Sequence, residues 1–158
     1  FVYSSKKTMS LFEKINDDIK TAMKAKEKDK LEALRAVKTA FLLAKTESSN
    51  KDLSEDQELK IVQKLVKQRR ESADIYKSQN RPDLHDKESF EAEVISRYLP
   101  RQLTEEELAQ EVTKIIDEVG ASGPQDMGKV MGVASKKLGG KAEGKAIAAK
   151  VKEMLAAK

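Results

Sequence analysis

Apolar residues recur every three or four positions along most of this chain of 158 residues. That spacing places them on one face of an α-helix, where they can be buried together. In the first such segment the series is Phe12, Ile15, Ile19 and Met23, and in a later one it is Leu84, Phe90, Val94, Ile95 and Tyr98. No segment alternates apolar and polar residues for long enough to predict a β-strand. The pattern therefore predicts an all-α protein.

Polar residues that favour helix N-termini precede most of these apolar series. A Ser or Thr followed three residues later by Glu or Gln can form a capping box, which satisfies the first free backbone N–H groups. Pairs with this spacing are Ser10 with Glu13, Asp29 with Glu32, Ser54 with Gln57, and Thr104 with Glu107. We expect Asp126 to cap a sixth helix and Gly120 to end the fifth. The fourth helix is expected over residues 83–99 and the last from about Glu143.

A proline break predicts two domains. Pro100 has no N–H to donate and restricts the residue before it to extended backbone. We expect a helical N-terminal domain of about four helices over residues 9–99 and a small C-terminal domain of three helices over residues 100–158. Residues 1–8 are interpreted as a leader, introduced by cloning or translated from upstream sequence. A remnant of an organellar transit peptide is the alternative.

The composition narrows the class of protein. Charged residues make up 37% of the chain and aromatic residues 4%, which is typical of a helical protein with long solvated faces. Cysteine is absent, which excludes disulfide bonds, a thiolate nucleophile and cysteine-ligated zinc. No apolar run approaches the roughly 20 residues that a membrane-spanning helix requires. We therefore expect a cytoplasmic protein without a membrane partner or a cofactor.

The formal net charge of +4 conceals an asymmetry near the C-terminus. Residues 100–127 contain two basic and seven acidic residues, whereas residues 128–158 contain eight lysines and two glutamates. A basic segment of this kind favours an anionic partner. Within it, Gly128 and Gly132 lie four positions apart in a predicted helix, although each glycine costs about 1 kcal/mol there relative to alanine. The two glycines would leave one helix face without side chains.

The glycines and lysines of this segment predict a binding surface for RNA. Phosphate groups are bound by positive charge and by accessible backbone. The predicted RNA-binding residues are Gly128, Lys129, Gly132, Lys136, Lys137, Lys141 and Lys145. The alternative is that the glycine face packs against the fifth or seventh helix while the lysines face solvent. Because aromatic residues are missing here, we expect recognition of folded RNA by its backbone and shape.

Other clusters of charged residues have simpler interpretations. A basic stripe on the third helix consists of Lys60, Lys64, Lys67 and Arg70. Its carboxylates at i, i+4 spacing are Glu71, after Lys67, and Asp74, after Arg70. This spacing favours a salt-bridged surface, with a second nucleic-acid contact as the alternative. The three glutamates at 105–107 suit the first turn of a helix without any metal ion, and the lone His85 lacks a nucleophilic partner. No catalytic or metal-binding residue is assigned.

Four short segments, in a fixed order and spacing, carry a family resemblance. They are Lys67–Ala73, Arg81–Leu84, Tyr98–Pro100 and Gly128–Gly132. Together they resemble the YqeY-like family, also called the GatB/YqeY family, over nearly everything after Met9. The resemblance implies an all-α fold with a helical N-terminal domain and a small helical C-terminal domain. The chain departs from the usual family pattern at His85-Asp86 and at Gly140–Gly144.

The resemblance extends to the tail of the GatB component of the tRNA-dependent amidotransferase. That enzyme converts misacylated glutamyl-tRNA or aspartyl-tRNA to the amide form with glutamine as nitrogen donor, and its tail belongs to the tRNA-recognition apparatus. The resemblance thus implies a tRNA-binding accessory protein related to carbon–nitrogen ligases with glutamine as amido-N-donor. Its implied partners are tRNA or an RNA–protein assembly, and amidotransferase subunits. The region that would activate a carboxylate with ATP is lacking, so we expect no complete active site. The alternatives are a component active only with partner subunits and a helical protein–protein adaptor.

Overall fold

The computed structural model describes residues 9–49 and 52–158. Within these ranges the chain forms seven α-helices. They are α1 (Leu11–Lys24), α2 (Lys28–Glu47), α3 (Glu55–Ser78), α4 (Pro82–Ser96), α5 (Glu105–Val119), α6 (Met127–Leu138) and α7 (Gly144–Ala156). A 3-10 turn, Pro124–Asp126, precedes α6. No described residue belongs to a β-strand, although an isolated bridge joins Gly139 and Ala142. The all-α fold class is confirmed.

Side-chain caps fix the starts of three helices. The Ser10 hydroxyl accepts a hydrogen bond from the Glu13 backbone N–H at 3.2 Å. Reciprocal capping boxes of the predicted kind join Ser54 with Gln57 and Thr104 with Glu107. Each of these bonds satisfies a backbone N–H group that has no partner inside its own helix. The predicted caps of α1, α3 and α5 are therefore confirmed.

The two other predicted cap residues make no side-chain cap hydrogen bond. Helix α2 begins at Lys28, so Asp29 lies inside its first turn, and no side chain caps this helix. Asp126 lies at the predicted N-cap position of α6, but its carboxylate makes no cap hydrogen bond. It accepts a hydrogen bond from the Ser122 backbone N–H at 2.8 Å instead. A carboxylate is favoured both at the N-cap and in the first turn of a helix. The sequence alone therefore does not decide which of these positions Asp29 occupies.

The helix ends follow glycine and proline signals with one displacement. Gly120 ends α5 as predicted, with a φ of +68°, a left-handed conformation that glycine adopts without steric cost. Helix α4 ends at Ser96 and not at Leu99, so its predicted end is wrong. The Tyr98 backbone N–H donates to the Ile95 carbonyl at 3.1 Å. Because of this tight last turn the helix ends three residues before Leu99, which directly precedes Pro100.

The first of two compact units ends at Tyr98 and contains α1–α4. Its largest fully buried side chains include Phe41, Ile15, Leu34 and Ile95. Met23 and Phe90, which the spacing predicts as core residues, are instead 53% and 44% exposed. In α1 the buried position belongs to Ala22. Residues three and four positions after Ile19 lie near the same face, and only the packing decides between them.

The second unit runs from Leu99 to Lys158 and contains α5–α7. Its helical core residues are Leu108, Val112, Ile115 and Ile116 of α5, Val130, Ala134 and Leu138 of α6, and Ile147, Val151 and Leu155 of α7. The Leu103 backbone N–H donates to the Lys141 carbonyl at 2.9 Å. This bond fixes the segment before α5 to the turn between α6 and α7. The grouping of the helices into domains of four and three stays a prediction.

Candidate nucleic-acid interface

Helix α6 presents one side to the core of its unit and the opposite side to solvent. The core side consists of Val130, Ala134 and Leu138, each at most 3% exposed. The opposite side carries the exposed residues Gly128, Lys129, Gly132 and Lys136, as the 3.6-residue turn of an α-helix requires. We call these four residues the α6 surface. The fold therefore brings four of the predicted binding residues together on one solvent-facing side.

The two glycines of the α6 surface are open to solvent. A Cβ built on either Gly128 or Gly132 would meet no neighbouring atom within 4 Å. Neither has the positive φ that would favour glycine. The alternative in which this face packs against α5 or α7 is therefore wrong. Since glycine weakens a helix interior and the fold does not require it here, packing within this unit does not explain either residue.

The lysines of α6 differ in their partners. Lys129 and Lys136 are exposed and form no ion pair with any described residue. The Lys137 Nζ lies 2.7 Å from a carboxylate oxygen of Glu118 on α5. Both side chains of that pair are about half exposed, at 51% and 54%, so its net contribution to stability is small. Lys137 thus has an ion-pair partner, whereas Lys129 and Lys136 have none among the described residues.

Lys141 and Lys145 follow α6 in the turn and in α7. Gly139 shapes this turn, because a Cβ there would come within 2.6 Å of the Ser135 carbonyl oxygen. The Lys141 backbone N–H donates to the Leu138 carbonyl at 3.0 Å, while its side chain is exposed. Lys145 is exposed in the first turn of α7, where the helix dipole disfavours a cation. Helix stability therefore does not explain Lys145.

Other charges near the α6 surface are locally balanced. The Lys150 side chain is 13% exposed and lies 3.2 Å from Glu153 and 3.6 Å from Glu105. The hydrogen bond to Glu153 raises the pKa of Lys150. The Ser122 backbone N–H, with a smaller contribution from Lys129, lowers the pKa of Asp126. The cations that remain without ion-pair partners around α6 are Lys129, Lys136, Lys141 and Lys145.

The acidic and histidine candidates have structural partners. Glu107 caps α5 and accepts two hydrogen bonds from the Arg101 guanidinium, at 3.0 and 2.7 Å. These contacts lower the pKa of Glu107 to about 2. The His85 Nδ1 lies 3.1 Å from the Asp86 carboxylate. In the part of the chain that the structure describes, no three His, Asp or Glu side chains converge in a way that could hold a metal ion.

The basic stripe on α3 lacks the ion pairs that its spacing favours. The Lys67 Nζ lies more than 4.0 Å from the carboxylate oxygens of Glu71, so the two residues form no ion pair. The same holds for Arg70 and Asp74, so the interpretation as a salt-bridged surface is wrong. An exposed i, i+4 pair contributes only about 0.3–0.5 kcal/mol, and the entropy of two long side chains opposes it.

Two family-like segments of the first unit are explained by ion pairs. The Arg69 Nε lies 3.0 Å from the Glu91 carboxylate, and both side chains are largely buried. This pair joins α3 to α4. Arg81 donates two hydrogen bonds to Asp83, at 3.2 and 3.0 Å, beside Pro82 in the first turn of α4. Both segments therefore serve the α3–α4 packing and its turn.

The segment Tyr98–Pro100 is explained by a contact that sequence reasoning missed. The Tyr98 hydroxyl donates a short hydrogen bond to Asp18 on α1, and the Lys14 Nζ lies 5.7 Å from the centre of the Tyr98 ring. Burial and the bond to Asp18 raise the pKa of Tyr98. Because 80 positions separate the two residues, no local spacing signals the contact. Gly128–Gly132 is thus the segment without a structural explanation.

The fold and this surface define an all-helical protein with a basic, glycine-bearing helix face. The chain belongs to the YqeY-like family, because the sequence model of that family, described as Yqey-like protein, matches residues 12–155. It is similar to altered inheritance of mitochondria protein 41, mitochondrial, from Lachancea thermotolerans, with 28% identity over 123 residues. That match covers 77% of this chain and 66% of the relative.

A second relative carries the same name. The altered inheritance of mitochondria protein 41 of Meyerozyma guilliermondii is 40% identical over 82 residues, covering 52% of this chain and 42% of that protein. The chain therefore spans less than two thirds of either relative. Among the described residues, no helix is both long and apolar enough to span a membrane.

Proposed function

We propose that this chain is an RNA-binding accessory protein whose contact surface is the α6 surface with Lys141 and Lys145. A single observation carries the proposal: Gly128 and Gly132 lie bare in solvent, beside lysines that have no ion-pair partner. A helix face without side chains lets a phosphate backbone approach closely. The flanking lysines then supply the charge that phosphate binding requires.

The geometry suits a backbone contact better than base reading. Lys129 and Lys136 are seven residues apart, which is about 10 Å along the helix axis. Residues 99–158 contain no aromatic side chain on which a base could stack, and stacking is the usual means of reading unpaired bases. We therefore infer that the partner is a folded RNA, recognised by its shape and phosphates.

The choice of tRNA comes from the resemblance to the tail of the amidotransferase component. On that basis we propose that the chain presents tRNA to partner proteins that carry out transamidation with glutamine as the amide donor. Beside His85 lie the Asp86 carboxylate and the Ser89 hydroxyl, and the hydroxyl is 3.5 Å from the His85 Nε2. That distance is longer than the roughly 2.6–3.2 Å over which a base takes up a proton. The catalytic groups for such a reaction would therefore lie in the partners.

The location of the protein is a separate proposal. The absence of cysteine favoured a cytoplasmic location, but the two relatives are named as mitochondrial proteins. We propose that this chain acts in mitochondria as well. Expression of the natural gene with a C-terminal fluorescent tag, imaged together with a mitochondrial dye, tests this. Uniform cytoplasmic fluorescence would restore the cytoplasmic location.

The decisive experiment measures tRNA binding and its salt dependence. Fluorescence anisotropy of labelled bulk tRNA is recorded with the natural chain and with the triple variant K129Q/K136Q/K141Q at several salt concentrations. For the triple variant we expect the plot of log K against log salt to become less steep by about two units of slope. Each phosphate contact contributes roughly 0.7–0.9 to the magnitude of that slope. The control K114Q/K152Q/K158Q removes the same charge from the same unit. Equal slopes for the two variants would contradict the α6 surface as the binding site.

The open glycine face also favours a second candidate function, that of a helical adaptor. A partner helix can pack closely against Gly128 and Gly132, since no side chain there holds it away. Recognition of a helix by a complementary surface is a common mode of protein binding. In that case protein partners would be retained at high salt and bulk tRNA would not bind. Pull-down in 0.5 M salt, analysed beside the anisotropy titration, separates the two functions.

A further inference from the structure

The basic stripe on α3, consisting of Lys60, Lys64, Lys67 and Arg70, is a second surface that the fold leaves without partners. Residues 60–70 contain five basic and no acidic residues. Arg69 is held by Glu91, which leaves the four cations of the stripe. None of these four forms an ion pair or hydrogen bond with any described residue. The charge of the α3 stripe is therefore free for an external anion.

The orientation of α3 directs this charge away from the core. Val62, Val66 and Ala73 form its buried side. Lys60, Lys64 and Arg70 are exposed and Lys67 is partly buried. From Lys60 to Arg70 the stripe extends about 15 Å along the helix axis. Since duplex nucleic acid carries one negative charge per roughly 1.7 Å of its axis, a row of this length can contact several phosphates at once.

We propose that the α3 stripe is a second RNA-binding surface of the same chain. The inference rests on the proposed function, because it extends the RNA contact from the second unit to the first. Two contacts on one chain raise the overall affinity, since binding at one surface increases the effective RNA concentration at the other. The stripe then determines how tightly a large folded RNA is held, while the α6 surface remains a separate contact.

An RNA fits the α3 stripe better than a lipid surface does. Helices that bind membrane surfaces insert an apolar face beside their cations. Within residues 60–70 the apolar side chains are buried, at Val62 and Val66, or partly buried, at Ile61 and Leu65. The exposed Ile75 of α3 lies beyond the stripe. The fully exposed side chains of the stripe are therefore all charged or polar, which suits contacts with phosphates along a nucleic acid.

The test compares two fourfold variants of the full chain with equal loss of charge. K60Q/K64Q/K67Q/R70Q removes the α3 stripe, and the control K24Q/K26Q/K28Q/K30Q removes four cations around the α1–α2 turn. Circular dichroism first verifies that both variants are folded. For the stripe variant we expect bulk tRNA affinity at 0.15 M salt to fall at least about tenfold. The magnitude of the slope of log K against log salt should decrease by about three. The control should lose no more than about threefold in affinity.

A chemical footprint supplies a readout on the natural chain. Acetylation of lysine ε-amino groups is followed by mass spectrometry with and without bulk tRNA. We expect tRNA to protect Lys60 and Lys64 at least about threefold and to leave Lys24 unchanged. Equal reactivity of Lys60 with and without tRNA would overturn the proposal.

The outcomes separate this inference from the proposed function. If the stripe variant behaves like its control while K129Q/K136Q/K141Q weakens binding, the inference is wrong and the proposed function stands. If the natural chain does not bind tRNA, both are wrong. Binding to vesicles of anionic phospholipid that the stripe variant loses, with tRNA affinity unchanged, would assign the stripe to a membrane and overturn the inference.

Discussion

The fold of the second unit requires glycine at some positions and not at others. At Gly120 the backbone has a positive φ, and at Gly139 a Cβ would collide with the Ser135 carbonyl oxygen, so both are required by the fold. At Gly128 and Gly132 neither condition applies. A residue that weakens its helix without serving the fold is best explained by what approaches it from outside.

Replacing the two exposed glycines should change stability and binding in opposite directions. For G128A/G132A we expect the free energy of unfolding to rise by about 1 kcal/mol. Alanine is favoured by about that amount at Gly132 in the helix interior and by less at Gly128 in the first turn of α6. Urea unfolding measures this gain, and anisotropy should show weaker tRNA binding. The matched control G139A should lower stability because of its contact with Ser135. Higher stability with unchanged tRNA affinity would show that RNA does not approach these glycines.

At the scale of elements, a largely buried ion pair joins two helices of the first unit. Arg69 of α3 and Glu91 of α4 form such a pair, with side chains 18% and 10% exposed. Removing one partner leaves the other charge buried without compensation, which typically costs 3–5 kcal/mol. Replacing both by apolar residues avoids that penalty.

A double-mutant cycle tests this pair. We expect R69M to lower the free energy of unfolding by about 3 kcal/mol, and R69M/E91L to lower it by much less. Guanidinium unfolding of the four proteins of the cycle gives the coupling energy. Arg70 neighbours Arg69 but has no ion pair with a described residue, so R70M serves as the control. Equal losses for R69M and R70M would show that the pair contributes nothing.

The start of α5 should make stability depend on pH. The Arg101 guanidinium and the Thr104 backbone N–H lower the pKa of Glu107 to about 2, from a usual value of 4.5. The ionised form is thus favoured in the folded state, so this stabilisation is present above pH 4.5 and is lost as the pH falls towards 2. In E107Q we expect a smaller decrease of stability over that range, measured by thermal unfolding. A titration of Glu107 by NMR with a midpoint near 4.5 would contradict the assignment.

At the scale of the whole molecule, each of the two units has its own apolar core. In the second unit, which contains α5–α7, the hydrogen bond from Leu103 to Lys141 joins the N-terminal segment to the turn between α6 and α7. A unit of this size buries only a modest fraction of its surface and is marginally stable. Independence of the second unit is therefore a prediction that experiment can decide.

The fragment Leu99–Lys158 should fold alone. We expect cooperative thermal unfolding by circular dichroism, with a lower midpoint for I115A because that buried side chain fills the core. A gradual, non-cooperative transition would show that the fragment depends on the rest of the chain. A midpoint unchanged by I115A would show that Ile115 does not belong to the core of the fragment.

The sequence by itself determined the helices and many of their ends, because caps such as Ser54 with Gln57 and stops such as Gly120 act within a few residues of the chain. It also supplied the lysines and glycines of the candidate binding surface. It did not decide between Ala22 and Met23 as the buried residue of α1, since both lie near the core side and packing makes the choice.

Only the tertiary structure decided which of the candidate glycines and cations face solvent without a partner in the fold. The spacing of α6 is compatible with glycines that face inward or outward, and the core positions of Val130, Ala134 and Leu138 turn them outward. Likewise, local spacing pairs Arg70 with Asp74, whereas the structure instead pairs its neighbour Arg69 with Glu91. Partners that are distant in sequence meet only through packing. For that reason the free charges of a surface become known only once the fold is known.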